Sequence, residues 1–298
     1  MRTNLFIILF ASYLNLFAQP SISFTFDDGS TGNRGAYPFE IWNQMLLDHL
    51  DNANLKAVFF VKGGGITGPK GKQLLTSWNA RGHQIANHTF SHPNFNGKHS
   101  AADFKNELLT TDSLLRGYSN FIQLFRFPYL KEGSTKAKVD SIRQILKEEG
   151  YRHGHVTIDA SDWYIDSRLR ERLKERPDAD LKAFKEFYLQ HLFERATYYE
   201  KLALELTGRH IPHTLLLHHN LAAALFLGDA IKMFKTKGWQ VISADEAYKD
   251  SIFKEVTEHA GESLIWAMAK DSGNYEGELR YPAEDSRYER KVMNALGL

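Results

Sequence analysis

The 298-residue sequence contains no cysteine, which excludes both disulfide bonds and thiolate metal ligands. It also has no excess of one charge, because 37 basic residues stand against 36 acidic ones. This balance gives no electrostatic indication that nucleic acid or an anionic membrane surface is a partner. Hydrophobic residues make up 43% of the chain, which is enough to fill a sizeable core and excludes an intrinsically disordered protein.

The N-terminal apolar run is too short for a membrane anchor, which needs about 20 apolar residues. Arg2 precedes a mostly apolar stretch at 5–17, and Ala18 supplies a small residue at its end. This pattern predicts a secretory signal peptide over residues 1–18, cleaved before Gln19. We therefore expect a secreted or periplasmic protein that is not inserted in the membrane after cleavage.

After residue 20 the sequence alternates short apolar runs with amphipathic helical patterns, which predicts βαβ units and a parallel sheet, open or closed into a barrel. The predicted strands are 21–26, 55–61, 83–88, 121–128, 151–159, 214–219 and 239–243. The predicted helices between them are 38–52, 70–81, 101–118, 135–149 and 221–237.

Two further segments lie outside this alternation. Residues 166–208 are charged and have apolar positions at helical spacing, which predicts two helices inserted after the fifth strand. From about residue 251 to 298 the pattern weakens into short helical turns, which indicates a C-terminal extension packed on the domain. The main domain is accordingly predicted at 19–250, with the insertion inside it.

Polar residues follow five of the predicted strands. Asp27 and Asp28 follow the first, and similar groups follow the third, fourth, fifth and sixth strands. Parallel α/β folds place their sites at the carboxyl ends of strands, so we expect these groups to meet. The groups after the later strands are His88, Arg126 to Tyr129, Asp159 to Trp163, and His218-His219.

The aspartate pair and two histidines indicate a metal site. His88 and His92 with one of the two aspartates supply three protein ligands and leave a coordination position open, as in a catalytic zinc site. The other aspartate is then available as a base, which indicates metal-assisted hydrolysis. The four-residue spacing of His88 and His92 predicts one helical turn with both rings on the same side.

Five motifs, in this order, resemble those of the polysaccharide deacetylase family, the NodB-homology domain of carbohydrate esterase family 4. They are Thr25-Phe26-Asp27-Asp28-Gly29, His88-Thr89-Phe90-Ser91-His92-Pro93, Arg126-Phe127-Pro128-Tyr129, Asp159 to Trp163, and Leu216-Leu217-His218. The resemblance covers roughly residues 21–248. It implies a distorted (β/α)7 barrel and an enzyme that removes acetyl groups from a polysaccharide or oligosaccharide, of the N-acetyl amino sugar or O-acetyl xylan type.

The resemblance also implies roles for these residues. Asp28, His88 and His92 would bind a divalent metal, with Zn²⁺ the expected ion. Asp27 would be the general base for a metal-bound water that attacks the acetyl carbonyl, and Arg126 would keep Asp27 ionised and aim it.

The remaining roles concern the oxyanion and the leaving group. The backbone N–H of Tyr129 would stabilise the oxyanion. His218 would be the general acid, with His219 as its rival for that role. Asp159 would hydrogen-bond the acid and raise its pKa, and Asp162 is the alternative partner. Trp163 and Leu216 would line a small apolar pocket for the acetyl methyl group.

Two other functions remain possible from the sequence. A carbohydrate-binding protein that kept the fold and lost catalysis would not need Asp27 beside the metal. An amidohydrolase acting on a small non-sugar amide would not be expected to carry a signal peptide. Neither the acetylated polymer nor the oligomeric state follows from the sequence. The candidates for stacking on sugar rings are Tyr37, Trp42, Trp78, Phe95 and Tyr164.

Overall fold

A seven-stranded parallel sheet forms the centre of the protein in the computed structural model, which describes residues 19–275, 279 and 285–298. Its strands are β1 (Ser21–Asp28), β2 (Val58–Val61), β3 (Gln84–Asn87), β4 (Phe121–Phe125), β5 (Arg152–His153), β6 (Pro212–His218) and β7 (Gln240–Val241). The order is β5-β4-β3-β2-β1-β6, and β7 pairs with the start of β1.

Strand β1 lies between β2 and β6 and is buried on both faces, one apolar with Ile22, Phe24 and Phe26 and the other polar with Ser23, Thr25 and Asp27. Six consecutive residues, 22–27, are buried, as expected for a parallel strand covered on both sides. Its last residues are in register with the ends of both neighbours, since Asp27 is level with Phe60 of β2 and with His218 of β6. The polar groups that follow these strands therefore meet at one end of the sheet.

The sheet curls and closes through a segment that follows the short strand β5. Ile158 forms an isolated parallel bridge with Leu215 of β6. Its N–H donates to the Thr214 carbonyl at 3.1 Å, and its own carbonyl accepts from the Leu216 N–H at 3.0 Å. The fifth predicted strand is thus regular at only two residues, but its far end completes a distorted barrel.

Helices surround the sheet. They are α1 (Phe39–Asn52), α2 (Pro69–Ala80), α3 (Ala101–Leu115), α4 (Lys136–Glu148), α5 (Asp162–Glu175), α6 (Lys182–Thr207), α7 (Leu221–Thr236), α8 (Ala244–Ala247), α9 (Leu264–Ser272) and α10 (Arg287–Leu296). Of these, α1, α2, α3, α4 and α7 match the five helices predicted between strands. Two helices follow the fifth strand, as predicted, and the first begins at Asp162 rather than near 166. Within the described part of the chain, no helix has the length and apolar character needed to span a membrane. The predicted signal peptide, 1–18, lies outside the described residues.

Candidate active site

The end of β1 presents two adjacent aspartates in different environments. Asp27 is buried, with 2% of its surface exposed, whereas Asp28 is partly exposed. Asp28 has a left-handed φ of 78°, which is uncommon for a residue with a side chain and persists only where the surroundings enforce it. The turn at Asp28 ends the strand and directs the two carboxylates to different partners.

The segment from His88 to Pro93 is not helical, so the predicted helical turn is wrong. Thr89 and His92 both have left-handed φ values, 66° and 64°. Pro93 opposes a helix because its ring disfavours the right-handed helical conformation at the preceding residue. The rings of His88 and His92 nevertheless meet, with centroids 5.0 Å apart.

Glu107 of α3 holds this histidine loop, a role that no sequence motif indicated. Its Oε2 accepts from the N–H groups of Phe90 and Ser91 at 2.9 and 2.6 Å, and its Oε1 accepts from the Ser91 hydroxyl. The N–H of Gly64, which follows β2, donates to the Phe90 carbonyl at 2.8 Å. A Cβ on Gly64 would lie 2.9 Å from that oxygen, so this glycine permits the close approach.

Asp28, His88 and His92 form the one group of at least three potential metal-ligating residues found among the described residues. Asp28 Oδ1 lies 3.4 Å from His92 Nε2 and 4.0 Å from His88 Nε2. Zn²⁺ bonds to nitrogen and oxygen of about 2.0–2.2 Å place donor atoms roughly 3–4 Å apart. The spacing of the three donors therefore suits a single ion.

Two further observations show that these residues fit a metal. Asp28 Oδ1 is a buried oxygen without a hydrogen-bond partner. His88 Nδ1 bonds the Arg126 carbonyl at 2.8 Å, which fixes the proton on Nδ1 and leaves the Nε2 lone pair facing Asp28. Burial lowers the pKa of both His88 and His92 to about 4, so both rings are neutral and able to ligate near pH 7.

Asp27 forms a buried ion pair with Arg126. Its Oδ1 lies 2.5 Å from Arg126 Nη1, while its Oδ2 faces the metal-ligand cluster, 3.7 Å from His88 Nε2. Burial raises the pKa of Asp27 above its usual range, although the Arg126 guanidinium opposes the shift. The arginine holds one carboxylate oxygen, but contrary to the expectation that Arg126 keeps Asp27 ionised, burial outweighs the ion pair and raises the pKa of the carboxylate.

The Arg126 side chain is completely buried, and several neighbouring groups hold its guanidinium in place. Nη1 donates to the Thr25 hydroxyl and Nε to the Gly154 carbonyl, both at 2.9 Å. Nη2 donates to the Tyr248 hydroxyl at 2.9 Å, and the guanidinium lies 3.7 Å from the Phe60 ring centroid. Tyr248 is separated from Arg126 by 122 residues and has no motif of its own, so the sequence did not indicate it.

Tyr129 lies in a tight turn after β4, beside the metal-ligand cluster. Tyr129 and Leu130 both have left-handed φ values, 56° and 53°, and each such residue costs about 1–3 kcal/mol. The Tyr129 side chain is half-exposed, and its ring packs against His92 with a centroid distance of 4.6 Å. The turn thus lines the pocket, and the Tyr129 ring covers His92, a proposed ligand.

The hydrogen-bond partner of His218 is Asp162, so the assignment of Asp159 was wrong. His218 Nδ1 lies 2.7 Å from Asp162 Oδ1, and the His218 N–H donates to Oδ2 at 2.9 Å. Asn220 Nδ2 also donates to that Oδ2, at 2.8 Å. Asp162 is the first residue of α5 and contacts His218. Asp159 lies three residues earlier, before the helix begins, and lines the pocket wall.

The carboxylates around His218 hold it protonated. Burial by itself would lower its pKa, but Asp162, Asp28 and Asp27 outweigh this effect and raise the pKa to about 10. A bound dication would offset part of the negative charge of Asp28 and Asp27 and bring the pKa down. A raised pKa makes His218 able to donate a proton near neutral pH.

His219 is a core residue, so of the two adjacent histidines only His218 lines the pocket. Its Nδ1 accepts from the Ser30 N–H at 3.1 Å, and its Nε2 lies 3.0 Å from Asn43 Oδ1. Burial lowers its pKa to about 3. Its ring packs against three aromatic side chains, Trp42, Phe59 and Trp78.

A pocket of about 400 Å³ lies beside the metal-ligand cluster. It is lined by Asp27, Asp28, His88, His92, Tyr129, Leu130, Asp159, Ala160, Trp163, Leu216 and His218. Leu130, Leu216 and the buried Val156 form a small apolar cluster at this site. Of the residues given a role or an alternative role from the sequence, all line the pocket except Arg126, Asp162 and His219.

The candidate sugar-stacking aromatics are a different case. Trp42, Trp78 and Phe95 are completely buried, so stacking on a substrate is excluded for these three residues. Their rings belong to the packing between helices and sheet, and an apolar ring near a loop in sequence is more often core than surface. Tyr37 and Tyr164 are partly buried.

Comparisons with known proteins agree with this architecture. Residues 17–154 match the family model described as polysaccharide deacetylase. A peptidoglycan-N-acetylglucosamine deacetylase of Bacillus cereus is 30% identical over 146 residues, which cover 49% of this chain and 47% of that protein. A chitooligosaccharide deacetylase of Sinorhizobium fredii is 27% identical over 146 residues, covering 48% and 60% respectively. The chain thus spans about half the length of these curated relatives.

The fold is shared with solved structures at lower identity. A CE4 family pseudoenzyme from Bacillus anthracis superposes with a TM-score of 0.54 at 17% identity, over 78% of this chain and 66% of that one. At this identity the likeness concerns the fold alone, and it confirms the distorted (β/α)7 barrel. Together, the sequence match and the fold confirm the resemblance inferred from the five motifs.

Proposed function

We propose that this member of the polysaccharide deacetylase family is a metal-dependent hydrolase that removes acetyl groups from a glycan containing N-acetylglucosamine. The supporting observation is that the cluster of Asp28, His88 and His92 shares one pocket with Asp27, which pairs with buried Arg126, and with His218, which pairs with Asp162. The names of the relatives, which act on peptidoglycan N-acetylglucosamine and chitooligosaccharide, support the substrate class.

Asp28, His88 and His92 would bind the ion, and we propose Zn²⁺ because two imidazoles and one carboxylate suit a borderline cation. When bound, it supplies Lewis-acid polarisation of the acetyl carbonyl and a lower pKa for the attacking water. The orientation of the His88 ring by the Arg126 carbonyl keeps Nε2 directed at this position.

Asp27 takes the proton from the attacking water. Because Arg126 holds Oδ1, the free oxygen is Oδ2, which faces the cluster. Burial of the carboxylate raises its pKa and so favours proton uptake during attack. Arg126 keeps the carboxylate from rotating away, since it is itself held by Thr25, Gly154 and Tyr248.

His218 gives a proton to the leaving amine on the other side of the pocket. Asp162 binds Nδ1, so Nε2 is the nitrogen that faces the substrate. The Tyr129 N–H would stabilise the negative charge on the carbonyl oxygen, and the cluster of Leu130, Val156 and Leu216 accommodates the acetyl methyl group.

Acetate release tests the proposal. The purified protein is incubated with acetylated chitooligosaccharide, peptidoglycan and acetylated xylan after chelation, and again after addition of Zn²⁺. We expect acetate from the first two substrates only when metal is restored. Binding of these glycans without acetate release under any metal would refute catalysis and favour a carbohydrate-binding protein of the same fold.

The loss of kcat/KM on replacing His218 should depend on the leaving group of the substrate. We expect His218→Ala to lose about 10²–10⁴-fold in kcat/KM on an N-acetyl amide, but much less on an aryl acetate. An amine must be protonated to leave, whereas a phenolate need not be. His219→Ala should lower stability through lost packing, without any dependence on the leaving group. Leaving-group dependence in His219→Ala alone would contradict the assignment.

Removing the partner of His218 should shift the pH profile. Asp162 raises the pKa of His218, so Asp162→Asn lowers that pKa, and the imidazolium is lost at lower pH. We therefore expect the alkaline limb of kcat to move to lower pH. Asp159→Asn is the matched control, because Asp159 lines the same pocket. If the alkaline limb moved further down in Asp159→Asn than in Asp162→Asn, the roles of the two aspartates would be reversed.

We further propose that the protein is exported and that residues 1–18 are removed. Mass spectrometry of the mature protein should then show a chain that begins at or near Gln19. Protein that retains Met1 in the cytosol would contradict export, and it would weaken the assignment of a cell-wall or extracellular glycan as substrate.

A further inference from the structure

The turn at Tyr129 and Leu130 requires support from outside the matched family region. Two consecutive residues with side chains have left-handed φ values there, and such backbone persists only when its surroundings determine it. The turn lines the pocket next to His92. Its own hydrogen bonds are short-range ones, from the Leu130 N–H to the Phe127 carbonyl and from the Lys131 N–H to the Pro128 carbonyl.

A C-terminal segment, Gly261 to Leu264, lies against this turn. The Glu262 N–H donates to the Leu130 carbonyl at 2.9 Å, and the Glu262 carboxylate forms an ion pair with Lys131. The Leu264 N–H donates to the Val156 carbonyl at 2.7 Å. Because Leu130 and Val156 both belong to the apolar cluster at the pocket, the segment contacts two of its three members.

A buried ion pair anchors the segment to the barrel. Glu132 is 2% exposed and accepts from Arg143 Nε at 2.6 Å. Its other oxygen accepts from the Gly261 N–H at 3.2 Å, and Arg143 Nη1 donates to the Thr257 carbonyl at 3.0 Å. The segment is thus fixed to the loop that follows β4 and to α4, which carries Arg143.

There is no space between the segment and the turn. Gly261 has a φ of 91°, and a Cβ placed on it would lie 2.5 Å from the Leu130 carbonyl oxygen. A carbon atom and a backbone oxygen cannot stay this close together. Any side chain at position 261 therefore displaces the turn, the segment or both. The Leu130 carbonyl and the Tyr129 N–H are separated by a single peptide unit, the one that joins Tyr129 to Leu130.

We propose that the segment from Gly261 to Leu264 is a positioning element for the Tyr129–Leu130 turn and thereby for the oxyanion-binding N–H of Tyr129. The inference rests on the proposed function for its catalytic consequence, whereas the positioning itself is a structural property. The segment lies beyond residues 17–154, the region that matches the family model. The C-terminal extension is therefore part of the active site's support.

Gly261→Ala tests this directly, with Gly273→Ala as the matched control. Both glycines belong to the C-terminal extension and have left-handed φ values, 91° and 70°, but a Cβ on Gly273 would meet nothing within 4 Å. We expect kcat to fall about 10²-fold in Gly261→Ala, as for a misplacement of about 1 Å, with KM and metal content little changed. Gly273→Ala should keep a kcat close to that of the unmodified protein.

Hydrogen exchange measured on the peptide covering 127–133 gives a readout that does not depend on activity. We expect the Leu130 and Lys131 amides to exchange faster in Gly261→Ala only. Unchanged exchange and kcat in folded Gly261→Ala would overturn the proposal, whereas an unmodified protein without activity would overturn only the proposed function. If Gly261→Ala does not fold, Glu262→Ala replaces it, with Glu262→Asp as the conservative variant. Normal kcat and exchange in Glu262→Ala would then refute the positioning role.

Discussion

We expect the His88→Ala, His92→Ala double variant to retain no stoichiometric metal and no acetate release, while it keeps a folded barrel. The two neutral imidazoles supply two of the three donors in the cluster, and Asp28 alone is too weak a ligand to hold an ion. Elemental analysis after dialysis and circular dichroism measure the two properties.

A second histidine pair in the chain offers a matched control for this variant. His153 and His155 are stacked with centroids 3.8 Å apart, and they lie outside the pocket lining. The His153→Ala, His155→Ala variant removes the same side-chain volume and should retain its metal. Stoichiometric metal in the His88→Ala, His92→Ala protein would refute the assigned site.

The second large effect concerns the two adjacent aspartates. Asp27→Asn should keep the metal and lose about 10²–10⁴-fold in turnover, because the amide still accepts from Arg126 but cannot take a proton. Asp28→Asn should instead weaken metal affinity, because it removes the charged ligand. Metal titration and single-turnover rates on both variants distinguish these outcomes.

A reversed result would exchange the two roles. If Asp27→Asn bound no metal and Asp28→Asn bound it normally, Asp27 would be the ligand. The structure argues against this, because Arg126 occupies one Asp27 oxygen, whereas a buried Asp28 oxygen lacks any hydrogen-bond partner.

One error in the sequence-based interpretation concerns the two histidines of the metal-ligand cluster. Spacing along the chain is informative only when the local conformation is regular, and the loop from His88 to His92 is irregular. The rings meet because Glu107 and two left-handed residues shape the loop, not because four residues span a helical turn. The two rings lie together in the structure, but the helical turn predicted to bring them together is absent.

The choice between Asp159 and Asp162 depended on where α5 begins. Asp159 precedes that helix and Asp162 is its first residue. No local sequence pattern shows which of the two carboxylates contacts the end of β6. The choice between His218 and His219 was better defined, because neighbouring residues at a strand end point to opposite faces. The sequence did not show which of the two faces points to the pocket. The packing of Trp42, Phe59 and Trp78 around His219 decides this.

By itself the sequence determined the alternation of strands and helices, the parallel sheet, and the residues gathered at its carboxyl end. These follow from short-range periodicity and from strand direction, which are properties of local segments. The tertiary structure decided the partner of His218, the support of Arg126 by Tyr248, and the contact of the C-terminal segment with Leu130. Each of these joins residues more than fifty positions apart, so it depends on how the whole chain packs and leaves no periodic signal in the sequence.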